Sequence, residues 1–273
     1  MRKILCMLLT GIMVLSAAGC GTKETQVQET ITETSENETK KEGTHVIVDH
    51  AGYEVEVPYE IERIAVGGIL PLPSVLAVFF DSADKIVGMA PNSMSAAENG
   101  LLGELYPEIL NAETGYINGS DVNLEELMKL DPDVVFYNAS QKEQGDQLRN
   151  AGFAAVAISV NKWEYNSIET LNEWIKLLSE IFPDNEKSEL VANYSKEIYD
   201  MVQGRVAEIP EEERERVFFL YKYTDTSMET SGANFFGQFW ADAAGAVNVA
   251  EELTTDNQVA ANMEQIYTWN PST

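Results

Sequence analysis

The sequence predicts an α/β fold: two parallel-sheet lobes joined by a long rigid helix, with the second lobe incomplete. Three observations carry this expectation. From residue 45 onward, short apolar runs alternate with helical patterns, as in a parallel sheet covered on both faces. One helical region, residues 185–208, runs without a proline. A ten-residue motif occurs twice, once in each half of the body.

The N-terminus comes first. Arg2 and Lys3 precede a short apolar run at 4–15, and Ser16, Ala17, Ala18 and Gly19 lead into Cys20. Positive charge, then an apolar segment, then small residues is the order of a secretory signal. A cysteine after small residues resembles a lipobox, in which the thiol is lipidated, although Ala17 stands where lipoboxes usually carry leucine. An uncleaved membrane anchor is the alternative, but the apolar stretch falls short of the ~20 residues that a spanning helix needs. Both readings place the body outside the cytoplasm. Residues 21–44 are rich in Thr, Glu and Gln, lack aromatics and show no hydrophobic period. They read as a disordered acidic tether with a reach of roughly 25–30 Å.

The body begins with a hairpin. Val46-Ile47-Val48 and the alternating Tyr53-Glu54-Val55-Glu56-Val57-Pro58 flank Asp49-His50-Ala51-Gly52. Strands are expected at 63–66, 85–89, 134–137, 155–159 and 217–221, and helices at 74–80, 124–130 and 143–151. In the region after Pro183-Asp184, Leu190, Val191, Tyr194, Ile198, Met201 and Val202 recur every three to four residues, and Pro210 ends the run. A helix over this span would be ~36 Å long. That suits a strut between lobes, and a kinked pair of ordinary helices is the alternative. The expected division is therefore a lipoprotein signal peptide at 1–20, the tether at 21–44, an N-terminal α/β lobe at 45–184, a connecting helix at 185–209, and a partial C-terminal α/β lobe at 210–273.

The repeat pairs Asn123-Leu124-Glu125-Glu126-Leu127-Met128-Lys129-Leu130-Asp131-Pro132 with Asn262-Met263-Glu264-Gln265-Ile266-Tyr267-Thr268-Trp269-Asn270-Pro271. In each copy Asn can cap a short helix, apolar positions bury one face, and the Asp/Asn-Pro step ends it. An apolar strand follows the first copy. The sequence stops two residues after Pro271, so it reads as a fragment that lacks the matching strand.

Composition narrows the function classes. Cys6 and Cys20 are the only cysteines, which leaves the body without a disulfide or a thiolate metal site. The formal charge of −27 argues against nucleic acid or an anionic membrane surface as partner, and solubility alone would account for most of it. The only histidines are His45 and His50, and no helix pairs His with carboxylates at i, i+4, so no metal site is expected. There is no G-x-S-x-G, P-loop or zincin motif, and Gly67-Gly68 is too short for a dinucleotide fingerprint. No enzyme and no cofactor is expected.

The chain resembles the periplasmic-binding proteins for ferric siderophores, haem and cobalamin. Asp49 to Gly52 with Val55 to Pro58 resemble the family's opening "D-x-x-G…V…P". Arg63-Ile64-Ala65-Val66 and Lys85-Ile86-Val87-Gly88 resemble its first two sheet strands. Asn123-Leu124-Glu125 with Asp131-Pro132-Asp133-Val134-Val135 resembles its "N-L-E…K-P-D-L-V". Gly245-Ala246-Val247-Asn248-Val249-Ala250 resembles the "A-G-G-x-N-V-A" of the second lobe, with Ala246 for a common glycine. Trp269-Asn270-Pro271 resembles its second "W-N-P-D".

The resemblance implies a lipid-anchored solute-binding protein on the outer face of the cell membrane, touching the membrane through its anchor only. Its partners would be an ABC permease and ATPase and a metal-chelate ligand held between the lobes, with little domain closure. It further implies docking through acidic residues on each lobe, for which Glu98, Glu104 and Glu108, and Glu251 and Glu252, are candidates. In a chain with this much Glu, a solvated acidic face is the better explanation for any single one of them.

Loops beyond the carboxyl ends of strands are where open α/β sheets meet ligands. That rule selects 67–71, 91–95, 138–140, 161–163 and 221–223, joined by 234–236. The ligand candidates are Asn138, Trp163, Tyr221, Lys222, Tyr223, Asn234 and Phe235, a lining able to stack on planar chelators and hydrogen-bond their oxygens. Lys222 could offset negative charge on a ferric chelate. Ordinary packing accounts for Tyr221, Tyr223 and Phe235 as well as ligand contact does. Two alternatives stay open: an oxyanion such as molybdate or tungstate as ligand, and a surface sensor or scaffold that feeds no transporter.

Overall fold

In the computed structural model, residues 43–273 are described except Ser120 and Glu186. Cys20, the signal segment and the tether up to residue 42 lie outside the described residues. The chain enters through an antiparallel hairpin of β1 (Thr44–Val48) and β2 (Glu54–Pro58), so Thr44, read as the end of the tether, already belongs to the fold. Ile47, Val55 and Val57 point inward while Val46 and Val48 stay exposed, which is the alternation that the sequence showed.

Behind the hairpin stands a four-stranded parallel sheet. Its strands are β3 (Ile64–Val66), followed by helix α1 (Leu72–Phe80), and β4 (Ile86–Met89), followed by α2 (Pro91–Glu98) and α3 (Leu101–Leu105). A two-stranded β5 (Ile117–Asn118) and β6 (Asp121–Val122) leads to α4 (Leu124–Leu130). After it come β7 (Val134–Asn138), α5 (Lys142–Asn150) and β8 (Ala155–Ile158). The order is β4-β3-β7-β8, all parallel. Val134, Val135, Phe136 and Tyr137, and all four residues of β8, are buried, as strands covered on both faces must be.

Two helices follow. α6 (Ser167–Ile181) buries Trp174, Ile175, Leu178 and Ile181 against the sheet, a spacing of one, three and three residues that was present in the sequence and passed over. α7 (Ser188–Val206) is the connecting helix, shorter at each end than the expected 185–209 and about 28 Å long. Before it, the Asn185 side-chain amide donates to the Phe79 carbonyl at 2.8 Å, which fixes the turn to the end of α1. α7 packs on α6 on one side and on α8 (introduced below) on the other.

The second lobe holds a parallel pair and an antiparallel sheet. β9 (Arg216–Val217) leads to β10 (Lys222–Tyr223), β11 (Met228–Thr230), α8 (Gln238–Ala244), β12 (Val247–Asn248), β13 (Val259–Ala260) and α9 (Met263–Trp269). β9 pairs with β12 in parallel, whereas β10, β11 and β13 form an antiparallel sheet that the sequence reading missed. The single strand expected at 217–221 is divided. Its ladder to β12 ends at Val217, and by Tyr221, whose N–H donates to the Glu229 carbonyl at 2.9 Å, the chain has turned onto β11.

The two motif copies fold alike, with small differences in their caps. The Asn123 side chain accepts the N–H groups of Glu125 and Glu126, and Asn262 closes a capping box with Gln265. Asp131 and Asn270 both end their helices in the left-handed conformation, at φ 45° and 47°. Arg63 then donates to the carbonyls of Leu130 and Asp131, and Arg216 to those of Trp269 and Asn270. Asp133 accepts the N–H groups of Glu62 and Arg63, and Ser272 accepts that of Arg216. After Pro132 the chain enters β7 beside β3. After Pro271 the N–H groups of Ser272 and Thr273 both reach the Arg216 carbonyl, so this segment takes the same side of β9.

Asp49 locks the hairpin to the sheet. It is 3 % exposed, and its two carboxylate oxygens accept N–H groups from Ala51, Tyr53 and, across to β8, Ala157. Removing the acceptor leaves backbone donors unpaired in the interior. Asp49→Ala is expected to lower stability by about 3 kcal/mol in denaturant titration. A loss under 1 kcal/mol would show that water replaces the carboxylate there.

Candidate ligand-binding cleft

The parallel sheet turns its carboxyl edge toward the second lobe, and a cavity of about 730 Å³ lies between the two. The first lobe supplies the loop after β8: Asn161, Trp163, Glu164, Tyr165 and Asn166. The second supplies Ala233 and Asn234, the α8 residues Gln238, Phe239 and Asp242, and Asp256.

Short hydrogen bonds wind the first-lobe loop into shape. The N–H of Glu164 donates to the Asn161 carbonyl and that of Asn166 to the Trp163 carbonyl, while the Asn166 side chain caps α6. Glu164 and Tyr165 are both held at positive φ, 51° and 58°. Asp and Asn adopt this conformation readily, as at Asp81, Asp131 and Asn270, but a glutamate and a tyrosine in succession do so at a cost. The strained pair faces the cavity. Burial pushes the Tyr165 hydroxyl above its usual pKa, and the Asn161 side chain hydrogen-bonds it.

The second-lobe wall hangs on Asn248. This fully buried side chain donates to the Ser231 carbonyl and to Gln238 Oε1, and accepts the Ala250 N–H. Gln238 in turn donates to Asp242 at 3.0 Å. Ala233 and Asn234 are tied to the carbonyls of Leu253 and Thr254, which brings the loop carrying Asp256 alongside. Contacts cross between lobes at the rim: Tyr165 and Phe235 meet edge to face at 5.1 Å, Tyr199 of α7 stacks on Phe239, and the Trp240 indole donates to Ser167 at 3.2 Å.

The family is decided by more than geometry. A family model described as periplasmic binding protein matches residues 82–273. The chain belongs to the periplasmic binding protein family. These are solute-binding transport proteins that work outside the cytoplasm with an ABC permease and ATPase. A molybdate-binding protein of Haemophilus influenzae is 25% identical over 244 residues, 83% of this chain and 67% of that one. The crystal structure of a periplasmic solute binding protein from Veillonella parvula superposes with a TM-score of 0.71 at 28% identity, covering 84% of this chain and 67% of that chain. A heme binding protein shares the fold with a TM-score of 0.61 at 22% identity, covering 84% and 70%.

Of the ligand candidates in this periplasmic binding protein, Trp163 and Asn234 line the cavity. Phe235 stands behind it against Tyr165, and Tyr221 meets Phe235 at 5.5 Å. Lys222 and Tyr223 are exposed on β10, where Lys222 sits opposite Glu229, and neither is in the lining. Asn138 is turned to its own loop, accepting from the Ser140 N–H and hydroxyl. The strand-end loops at 67–71 and 138–140 enclose no part of this space. The Gln144 and Gln141 side chains come within 3.5 Å of where Cβ atoms on Gly67 and Gly68 would stand, so α5 and its N-terminal turn pack over those strand ends.

Sequence reasoning missed Glu164, Tyr165, Gln238, Phe239, Asp242 and Asp256. Glu164 and Tyr165 directly follow the selected loop at 161–163, and Asp242 stands three residues before the resemblance motif at 245–250, whereas Asp256 had no nearby signal. Among the docking candidates, Glu98, Glu104 and Glu251 are exposed. Glu108 accepts the Ala83 N–H, which holds its carboxyl below the usual range, and Glu252 accepts the Trp269 indole N–H at 2.7 Å.

His50 supports the cleft from behind. Its Nδ1 accepts the Ser159 N–H, and its ring meets Trp163 edge-on at 5.0 Å. Burial, with Lys162 nearby, lowers its pKa from 6.5 to about 4. As pH falls through that window the unfolded chain takes up a proton that the folded protein refuses, so stability is present above pH 6.5 and drains away toward 4. For a half-buried ring the loss is about 2 kcal/mol by pH 4 relative to His50→Gln, which keeps an acceptor for Ser159. Parallel acid titrations of the two proteins, monitored by denaturant unfolding, would refute this if their difference stayed constant.

Proposed function

We propose that this binding protein captures a bulky chelate, either an iron complex such as a ferric siderophore or haem, or cobalamin, and presents it to its ABC permease. The observation that carries the reading is the cavity itself. At about 730 Å³, with Trp163, Tyr165 and Phe239 in its lining, it falls in the range for ligands of many atoms. Aromatic walls stabilise such a ligand by burying its apolar surface, at ~25 cal/mol per Å². A four-oxygen anion offers almost none to bury and would leave most of the space to water. The relative that binds molybdate supports the second reading, an oxyanion ligand.

Trp163 reports on the cleft, so tryptophan fluorescence can follow titration with ferric siderophores, haem, cobalamin and molybdate. At least one chelate is expected to bind, and Tyr165→Ala and Trp163→Phe to weaken it by about 1–3 kcal/mol for a lost ring and less for the exchange. Tight molybdate binding with no response to any chelate would replace this reading with the oxyanion one.

The anchoring belongs to the same proposal. Arg2, Lys3, the apolar run and the small residues before Cys20 support export and lipidation, with the tether holding the cleft above the permease. Cys20→Ser is expected to shift the protein from the membrane fraction to the medium, or to leave an unprocessed precursor. Normal processing with unchanged membrane association would exclude lipidation at this residue.

A further inference from the structure

The charge of the cleft narrows the ligand further, given the reading of this cavity as a chelate site. Glu164, Asp242 and Asp256 line it, and among the described residues no lysine, arginine or histidine does. Among the described residues none of the three carboxylates is in an ion pair. Two cations lie close in sequence or space. Lys162 donates to the His50 carbonyl at 3.2 Å with its ammonium 5.7 Å from the centre of the Trp163 ring, and Lys196, in the adjoining hollow, pairs with Asp200. Asp242 is also held in place, through Gln238, by the buried Asn248.

The aromatic lining points the same way independently. Ring faces are negative, so Trp163, which already carries the Lys162 ammonium, and with it Tyr165 and Phe239 favour a cation over an anion. Three carboxylates against the one ammonium of Lys162, together with aromatic rings in the lining, describe a surface for positive charge. An oxyanion or an anionic chelate would meet repulsion from the three carboxylates. We propose that the solute of this protein is a cationic chelate: a metal complex whose organic part carries a free ammonium or whose overall charge is positive.

The test compares ligands that share one metal. A ferric trihydroxamate bearing a free ammonium, a neutral ferric trihydroxamate and a triply negative ferric tris-catecholate are titrated at low and at physiological salt. Molybdate and choline serve as a bare anion and a bare organic cation. The ammonium-bearing complex is expected to bind about 100-fold more tightly than the tris-catecholate at low salt, and the ratio to shrink as salt rises. Asp242→Asn and Asp256→Asn keep shape and hydrogen-bonding capacity, and each is expected to cut that preference by about three- to tenfold. Equal or tighter binding of the tris-catecholate overturns the charge assignment and leaves the chelate reading intact. Binding of choline but of no ferric complex overturns the chelate reading and leaves the charge assignment. Binding of molybdate alone overturns both, as does binding of none of the five probes. Unchanged preference in both variants, with melting temperatures equal to that of the parent, removes the carboxylates from ligand selection and overturns the assignment.

Discussion

Everything in this fold hangs on an arginine at the start of a strand gripping the end of the helix before the neighbouring strand. A helix leaves its last carbonyls without partners. In the first lobe Arg63 takes those of Leu130 and Asp131, while Asp133 takes the N–H groups of Glu62 and Arg63 in return. The exchange sets the register, because with Asp133 facing Arg63 the next residues pair as Ile64 with Val134 and Ala65 with Val135. Slipping by one residue would send Val134 and Phe136 to the other face. In the second lobe Arg216 repeats the grip on Trp269 and Asn270, with the neutral Ser272 in place of the aspartate. The same local chemistry thus builds both halves.

The cleft depends on that frame but is not made of it. Its first-lobe wall is a loop beyond β8, wound by its own backbone hydrogen bonds into a conformation that a glutamate and a tyrosine do not choose unaided. Its second-lobe wall hangs on Asn248, whose amide has no access to water and therefore must be satisfied internally. That requirement fixes Gln238, and Gln238 fixes Asp242. A buried polar residue well away from solvent in this way determines where a carboxylate stands at the surface of the cavity.

The frame was legible in the sequence because burial writes patterns. The hairpin alternates, β7 and β8 are continuous apolar runs, and the Asn…Asp/Asn-Pro repeat spells a capped helix with a forced stop. α6 was equally legible and was missed, since Trp174, Ile175, Leu178 and Ile181 have helical spacing after an Asn166 cap. The strands β10, β11 and β13, at two or three residues each, are too short for alternation to show. The cleft was half legible. The strand-end rule found Trp163, and Asn234 joined it as a residue near the start of a second-lobe helix, but the rule also chose loops at 67–71 and 138–140, over which Gln141 and Gln144 pack, a packing fact with no local signature. Asp242 and Asp256 looked like any other acid in a chain of charge −27, and only their placement across from Trp163 and Tyr165 distinguishes them.

The two walls differ in how firmly they are held. The first-lobe loop is rooted in a core that runs from Ile47 to Phe182 and gathers the hairpin, the sheet and its covering helices. The described second-lobe core comprises Val249, Ala250 and Trp269, with a few half-buried neighbours such as Phe218 and Ile266. Helix α7, between them, exposes Leu190, Tyr194, Ile198 and Met201 and buries only Val206. Local opening costs least where apolar contacts are fewest. Among the described residues the wall bearing Trp163 and Tyr165 therefore rests on the larger core, and the wall bearing Gln238, Phe239, Asp242 and Asp256 on the smaller.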